Sequence, residues 1–146
     1  MDAGHHLRAS GVGVDLVHIP SFVEQLEQEG TVFSRVFTDR EWAYCQHRSS
    51  DCFAVRWAAK EAMVKAWSTL ILGHGPMIDP SDLDWSNIEV AHDQWQRPYL
   101  RFHGRVAQEL TALERRLGAS LQWNVSLSHD GDMAIAYVQV LALTLT

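Results

Sequence analysis

Two hydrophobic rhythms divide this chain into strands and helices. Gly11 to Ile19 (GVGVDLVHI) is rich in Val, Leu and Ile and predicts a buried strand, interrupted by Asp15. Pro20 and Ser21 then open a short helix to about Gln28, with Phe22, Val23 and Leu26 on one face and Gly30 as its stop. Thr38, Asp39, Arg40 and Glu41 have capping-box spacing, which starts a second helix running to about His47. The longest helix is predicted from about Asp51 to Leu70. There Val55, Ala59, Ala62, Met63, Ala66 and Leu70 recur at steps of three and four. Its many alanines imply close approach to whatever it packs on. Gly73 to Trp85 reads as a loop, and Ile88–His92 and Tyr99–Phe102 as two short strands. Gly104–Leu117 is a helix stopped by Gly118, and Leu121–His129 and Asp132–Leu143 form a hairpin around Asp130-Gly131. Helices and strands mix without a βαβ rhythm, so the expected fold class is α+β: an antiparallel sheet packed on a long central helix.

Length and composition narrow the picture. A chain of 146 residues with 47% hydrophobic and 21% charged positions suits one globular domain. No apolar run has the length of a membrane span. The polar stretch 1–10, with His5 and His6, does not read as a signal peptide and is assigned as a tail, leaving a single domain at 11–146. Without a secretory signal, Cys45 and Cys52 are expected as buried reduced thiols and the compartment as the cytoplasm. The net charge of −6 argues against nucleic-acid binding. Within 35–65, however, Arg35, Arg40, Arg48, Arg56, Lys60 and Lys65 outnumber Asp39, Glu41, Asp51 and Glu61, a local balance that suits either an anionic ligand or a solvated face.

Three places carry candidate chemistry. Asp15 is a carboxylate inside an apolar strand, costly to bury unless it is paired or bound to a metal, although a strand end would also accommodate it. Glu61 and Lys65 stand four apart on one helix face, with Trp57 one turn earlier to shield them; as an exposed pair they would be worth little. Ser126, Ser128 and His129 precede the Asp130-Gly131 turn, where they could receive an anion or satisfy turn backbone.

In combination, GVGVDLV, RWAAKEAMVKAW and VSLSHDGDMAIAYV, with FSRVFTDRE and NIEV between them, resemble the holo-acyl carrier protein synthases over about Gly11 to Val140. The resemblance implies a small phosphopantetheinyl transferase that moves the phosphopantetheine arm of coenzyme A onto a serine of an acyl carrier protein or a synthase carrier domain. It implies Asp15 and Glu61 as magnesium ligands, and Glu61 and Lys65 as the catalytic pair. It also implies Arg56, Lys60, Ser128 and His129 around the coenzyme A phosphates and nucleotide. The family further suggests a homotrimer in which the Ser128-His129 strand completes a neighbour's site. Two other classes fit part of the pattern: a magnesium-dependent pyrophosphate hydrolase and a non-catalytic carrier-binding module.

The chain departs from the family in three places. Its first helix carries Glu24, Glu27 and Glu29 where many members are basic. Gln96 replaces the glycine that commonly precedes the basic-Pro pair, here Arg97-Pro98, so a turn with positive φ is not expected in the same form. The loop from Gly73 to Ser86 is longer than the family suggests.

Overall fold

A computed structural model describes residues 4–28 and 35–145. Among the described residues five strands and four α-helices follow in the order β1 (His5–His18), α1 (Ile19–Glu27), α2 (Asp39–Cys45), α3 (Asp51–Leu70), β2 (Ile88–His92), β3 (Pro98–Phe102), α4 (Gly104–Leu117), β4 (Ser120–Asp130) and β5 (Met133–Leu145). The strands form two antiparallel sheets, one in the order β1-β5-β4 and the other a β2-β3 ribbon. The α+β expectation holds. Among the described residues no helix is long and apolar enough to cross a membrane.

The position of α3 dominates the architecture. Ala54, Ala58, Ala59, Ala62 and Ala66 are fully buried against the sheet. The inner face of β5 answers with small residues, Ala134, Ala136, Val138, Val140 and Ala142, all fully buried. Contact with β1 is closer still. A Cβ at Gly11 would lie 2.1 Å from the Ala66 carbonyl oxygen, and one at Gly13 would lie 2.0 Å from that of Ala62. Only glycine lets the helix backbone lie directly on the strand. The Thr69 hydroxyl pins the pair, accepting from Val12 N at 2.8 Å and donating to Val12 O at 3.0 Å. Around the N-terminal half of α3, Phe22, Phe37, Trp42 and Phe53 form an edge-to-face and tilted aromatic cluster.

Helix signals written in short-range chemistry hold closely. Thr38 caps α2 with both arms of the capping box, and Gly118 ends α4 with φ of 60°. The tail assignment does not hold: β1 begins at His5, where residues 5–10 continue the ladder against the far end of β5 through an irregularity between Leu7 and Ala9. This extension is polar because α3 ends at Leu70, level with Gly11, and offers no apolar surface beyond it. Two further expectations are corrected. Cys45 and Cys52 form a disulfide, because the corner between α2 and α3 brings their Cα atoms to 5.5 Å. Gln96 does take a positive φ, 66°. Its Oε1 accepts a hydrogen bond from the Tyr44 hydroxyl at 2.7 Å, a tie to α2 that glycine could not make. Glu29, on the predicted first helix, lies outside the described residues.

Candidate active site

The register of α3 on β1 places one side of the helix at Asp15. Lys65 reaches across, its Nζ donating to the Val14 carbonyl at 3.0 Å and to Asp15 Oδ1 at 3.1 Å. The lysine side chain stays more than half exposed, while Asp15 is almost covered, at 11%. One turn back along α3, the half-buried Glu61 carboxyl faces Asp15, and Trp57 before it packs against Trp85 with ring centroids 4.8 Å apart. Burial, and then the adjacent Asp15 carboxyl, push Glu61 up to about 8, with Lys65 pulling the other way. Asp15 Oδ2 is buried and receives no N–H or hydroxyl donor among the described residues. The Glu61 carboxyl faces Asp15, and the two carboxyls can share a hydrogen bond only while one carries a proton. With both carboxyls ionised the pair is short of positive charge, which a proton or a cation makes up.

That deficit fits a divalent cation. Among the described residues no group of three His, Cys, Asp or Glu side chains could hold a metal. Two carboxylates completed by substrate oxygens and water form a donor set suited to magnesium, whereas a zinc site or an all-protein calcium cage needs more protein ligands.

A second cleft, of about 290 Å³, opens at the α2–α3 corner, lined in part by Tyr44, Arg48, Arg56, His92 and His129. Arg56 is buried at 3%, and its Nη1 donates to the Cys52 carbonyl at 2.9 Å and to Cys52 Sγ at 3.1 Å. Its Nε has no partner among the described residues. Burial lowers the Arg56 pKa, with Glu41 opposing. His129 lies across the cleft, with Nδ1 3.3 Å from Asp51 Oδ2.

The expected site residues thus separate. Asp15, Glu61 and Lys65 form one cluster; Arg56 and His129 line another. Ser128 alternates with its neighbours Leu127 and His129 along β4, and is exposed. Lys60, expected at the coenzyme A phosphates, is fully buried. Its Nζ forms a 2.7 Å ion pair with Glu41 and also donates to the carbonyls of Trp85 and Ile88, so all three protons are engaged. Glu41 in turn accepts from Thr38 N and Val90 N, joining α2, α3 and β2. Lys60 is a core tie and has no donor left for a ligand. Tyr44 and His92 were not singled out by the sequence reading, because their place in the cleft depends on contacts between α2 and β2 that no local spacing encodes.

The profile of the 4′-phosphopantetheinyl transferase superfamily matches residues 11–138. The chain belongs to this superfamily. A holo-[acyl-carrier-protein] synthase of Mycobacterium leprae is 44% identical over 131 residues, covering 88% of this chain and 93% of that protein. Among solved superfamily structures, the ACPS–CoA complex of Chronobacterium ammoniagenes aligns with a TM-score of 0.84 at 42% identity, covering 92% of this chain and 98% of that one. The acyl carrier protein synthase of Mycobacterium tuberculosis aligns with a TM-score of 0.70 at 37% identity, covering 90% and 96%. The α+β fold, with its single long helix against an antiparallel sheet, is therefore that of the superfamily's small synthases.

Proposed function

We propose that this protein is a magnesium-dependent holo-acyl carrier protein synthase, transferring 4′-phosphopantetheine from coenzyme A to a carrier-protein serine. The observation that carries this reading is the Asp15–Glu61 carboxyl pair with Lys65 at its edge, in a chain similar to synthases of that name and to a CoA complex.

Asp15 and Glu61 would hold the magnesium ion, which supplies charge neutralisation for the pyrophosphate. In the transfer, the serine oxygen forms a bond to the phosphorus bearing pantetheine. The bond from that phosphorus to the bridging oxygen breaks, and adenosine 3′,5′-bisphosphate leaves. Glu61 in its ionised form accepts the serine proton, and its raised proton affinity in the fold suits it to that role. Lys65 Nζ, exposed and held at the pair by Val14 and Asp15, donates to the departing phosphate. Arg56 and Arg48, with His129 across from them, offer a cleft for the phosphate at the nucleotide end of coenzyme A.

The outer face of β1 and β5 exposes Val12, Val14, Leu16, Ile135 and Tyr137, an apolar strip that supports self-association, and a homotrimer is the assembly we propose. A cytoplasmic location is part of this proposal; Cys45 and Cys52 are both buried.

The test is incubation with coenzyme A, magnesium and a panel of apo carrier proteins, following carrier mass. One phosphopantetheine added per carrier, abolished by chelator and by Glu61→Gln, is the expected result. Release of adenosine bisphosphate without any carrier would instead make the protein a pyrophosphate hydrolase. Coenzyme A binding with no mass gain on any carrier would make it a binding module.

A further inference from the structure

His92 lines the corner cleft without a part in the transfer chemistry. Its imidazole stacks flat on the Tyr44 ring, with centroids 4.8 Å apart and planes 6° apart. The guanidinium carbons of Arg48 and Arg56 lie 4.0 and 4.5 Å from the same Tyr44 centroid. Arg56 Nη2 approaches both imidazole nitrogens, Nδ1 at 3.2 Å and Nε2 at 3.4 Å. A guanidinium N–H can donate only to an unprotonated ring nitrogen, so this contact requires neutral imidazole. With Nη1 fixed by the Cys52 carbonyl and sulfur, His92 is the second anchor that sets the plane of the Arg56 fork.

We propose that His92 is the positioning residue of the anion cleft, holding Arg56 while neutral and taking up a proton when a phosphate ester of the coenzyme A nucleotide binds beside it. This rests on the reading of the cleft as the nucleotide-phosphate site. The groups around His92 are mixed in sign, and on balance they lower its proton affinity; Arg40, Glu89, Tyr99 and Arg101 line the cavity on its other side. Arg56 comes from α3 and Arg48 from the corner, while Asp93, its chain neighbour, is the nearest opposing charge. Tyr44 from α2 covers one ring face, and the His129–Asp51 pair lies across the cleft. Burial, and then Arg56 and Arg48, hold the free imidazole below its ordinary range, with Asp93 opposing. A phosphate dianion set among the two arginines cancels their repulsion of an imidazolium and adds an acceptor for its second N–H. Binding is therefore linked to proton uptake.

The probe is adenosine 3′,5′-bisphosphate in the presence of chelator; its 5′-phosphate is the departing group of the transfer, so proton uptake that survives His92→Gln is assigned to the carboxyl pair and not to the cleft. Titration calorimetry at neutral pH, in buffers of unequal ionisation enthalpy, counts protons taken up. The wild type is expected to take up a substantial fraction of one proton. Its affinity should fall by up to about tenfold per pH unit across the titration of His92. His92→Gln keeps an acceptor for Arg56 but no titrating group, and should lose both the uptake and the slope. In the wild type, a histidine resonance that titrates below its ordinary range should move up when the probe is bound, a readout independent of how the variant folds. Equal proton uptake in His92→Gln, or no histidine moved by the probe, overturns the proposal. Arg56→Gln separates the two readings. If it leaves affinity unchanged, the cleft is not the phosphate site; if it weakens binding while proton uptake survives His92→Gln, only the role given to His92 fails.

Discussion

Lys65 of α3 and Asp15 of β1 meet at 3.1 Å, although one is largely exposed and the other almost covered. An ion pair with one arm in water contributes little to stability, on the order of a few tenths of a kcal/mol. Its value lies in holding a mobile ammonium at the carboxyl pair. Lys65→Met is expected to lower kcat by about 10²–10³-fold while leaving the urea midpoint nearly unchanged. Parallel kinetics and denaturation check both halves.

Glu61 carries the opposite balance. Its carboxyl is raised to about 8 in the fold, against an ordinary 4.5. Between those values the folded protein binds a proton that the unfolded chain has released, so without metal this group lowers stability as pH rises from about 4.5 to 8 and adds no further change above that. Glu61→Gln removes this penalty. With half the group in water, the gain near pH 8 is on the order of 1–2 kcal/mol. A higher melting temperature in chelator together with lost transfer is the expected outcome. Magnesium affinity of the wild type should weaken as pH falls below about 8, which calorimetry reads as proton release.

Lys60→Met leaves Glu41 buried without its cation and strips donors from the Trp85 and Ile88 carbonyls. The expected loss is about 3–5 kcal/mol of unfolding free energy, measured in urea. Were the lysine a phosphate ligand instead, stability would hold and the KM for coenzyme A would rise.

The Cys45–Cys52 bridge closes a loop with a sequence separation of 7. Loop-closure entropy assigns it roughly 2 kcal/mol. Two alkylatable thiols should emerge only after reduction, with a lowered thermal midpoint. Labelling of two thiols in untreated folded protein would contradict the bridge.

Gly13→Ala drives a Cβ to 2.0 Å from the Ala62 carbonyl oxygen, a backbone atom that cannot swing aside. Lifting α3 off β1 should lower stability by at least the 1–3 kcal/mol or so of ordinary overpacking. It should also weaken transfer, because Asp15 and Glu61 are held together by that contact.

Legibility in the sequence tracked the range of the interaction. The bounds of α3, the capping box at Thr38 and the facing of Glu61 and Lys65 follow from spacings of three and four, and the structure reproduces them. Close approach of α3 could be read from its alanines, although not that Gly11 and Gly13 receive it. Lys60 was misread because it neighbours Glu61 in a motif rich in charge. Its partners, Glu41, Trp85 and Ile88, are 19, 25 and 28 residues away. His92 and Tyr44 were invisible for the same reason, since stacking across 48 positions leaves no periodic trace. The polar start of β1 lacked the alternation that marks a half-buried strand, because α3 ends level with Gly11 and does not extend over it.

Helix α3 supplies the core with its alanines and the chemistry with Glu61 and Lys65 from a single rotational register. Each residue inserted into a helix turns everything beyond it by about 100°. A one-residue insertion or deletion between Ala54 and Glu61 would unseat core and carboxyl pair together, with no intermediate state in which one survives the other. Length variation that leaves the protein working must therefore fall outside this helix, in segments such as the long connection from Gly73 to Ser86. There the chain can be recut without turning the helix that carries the reaction.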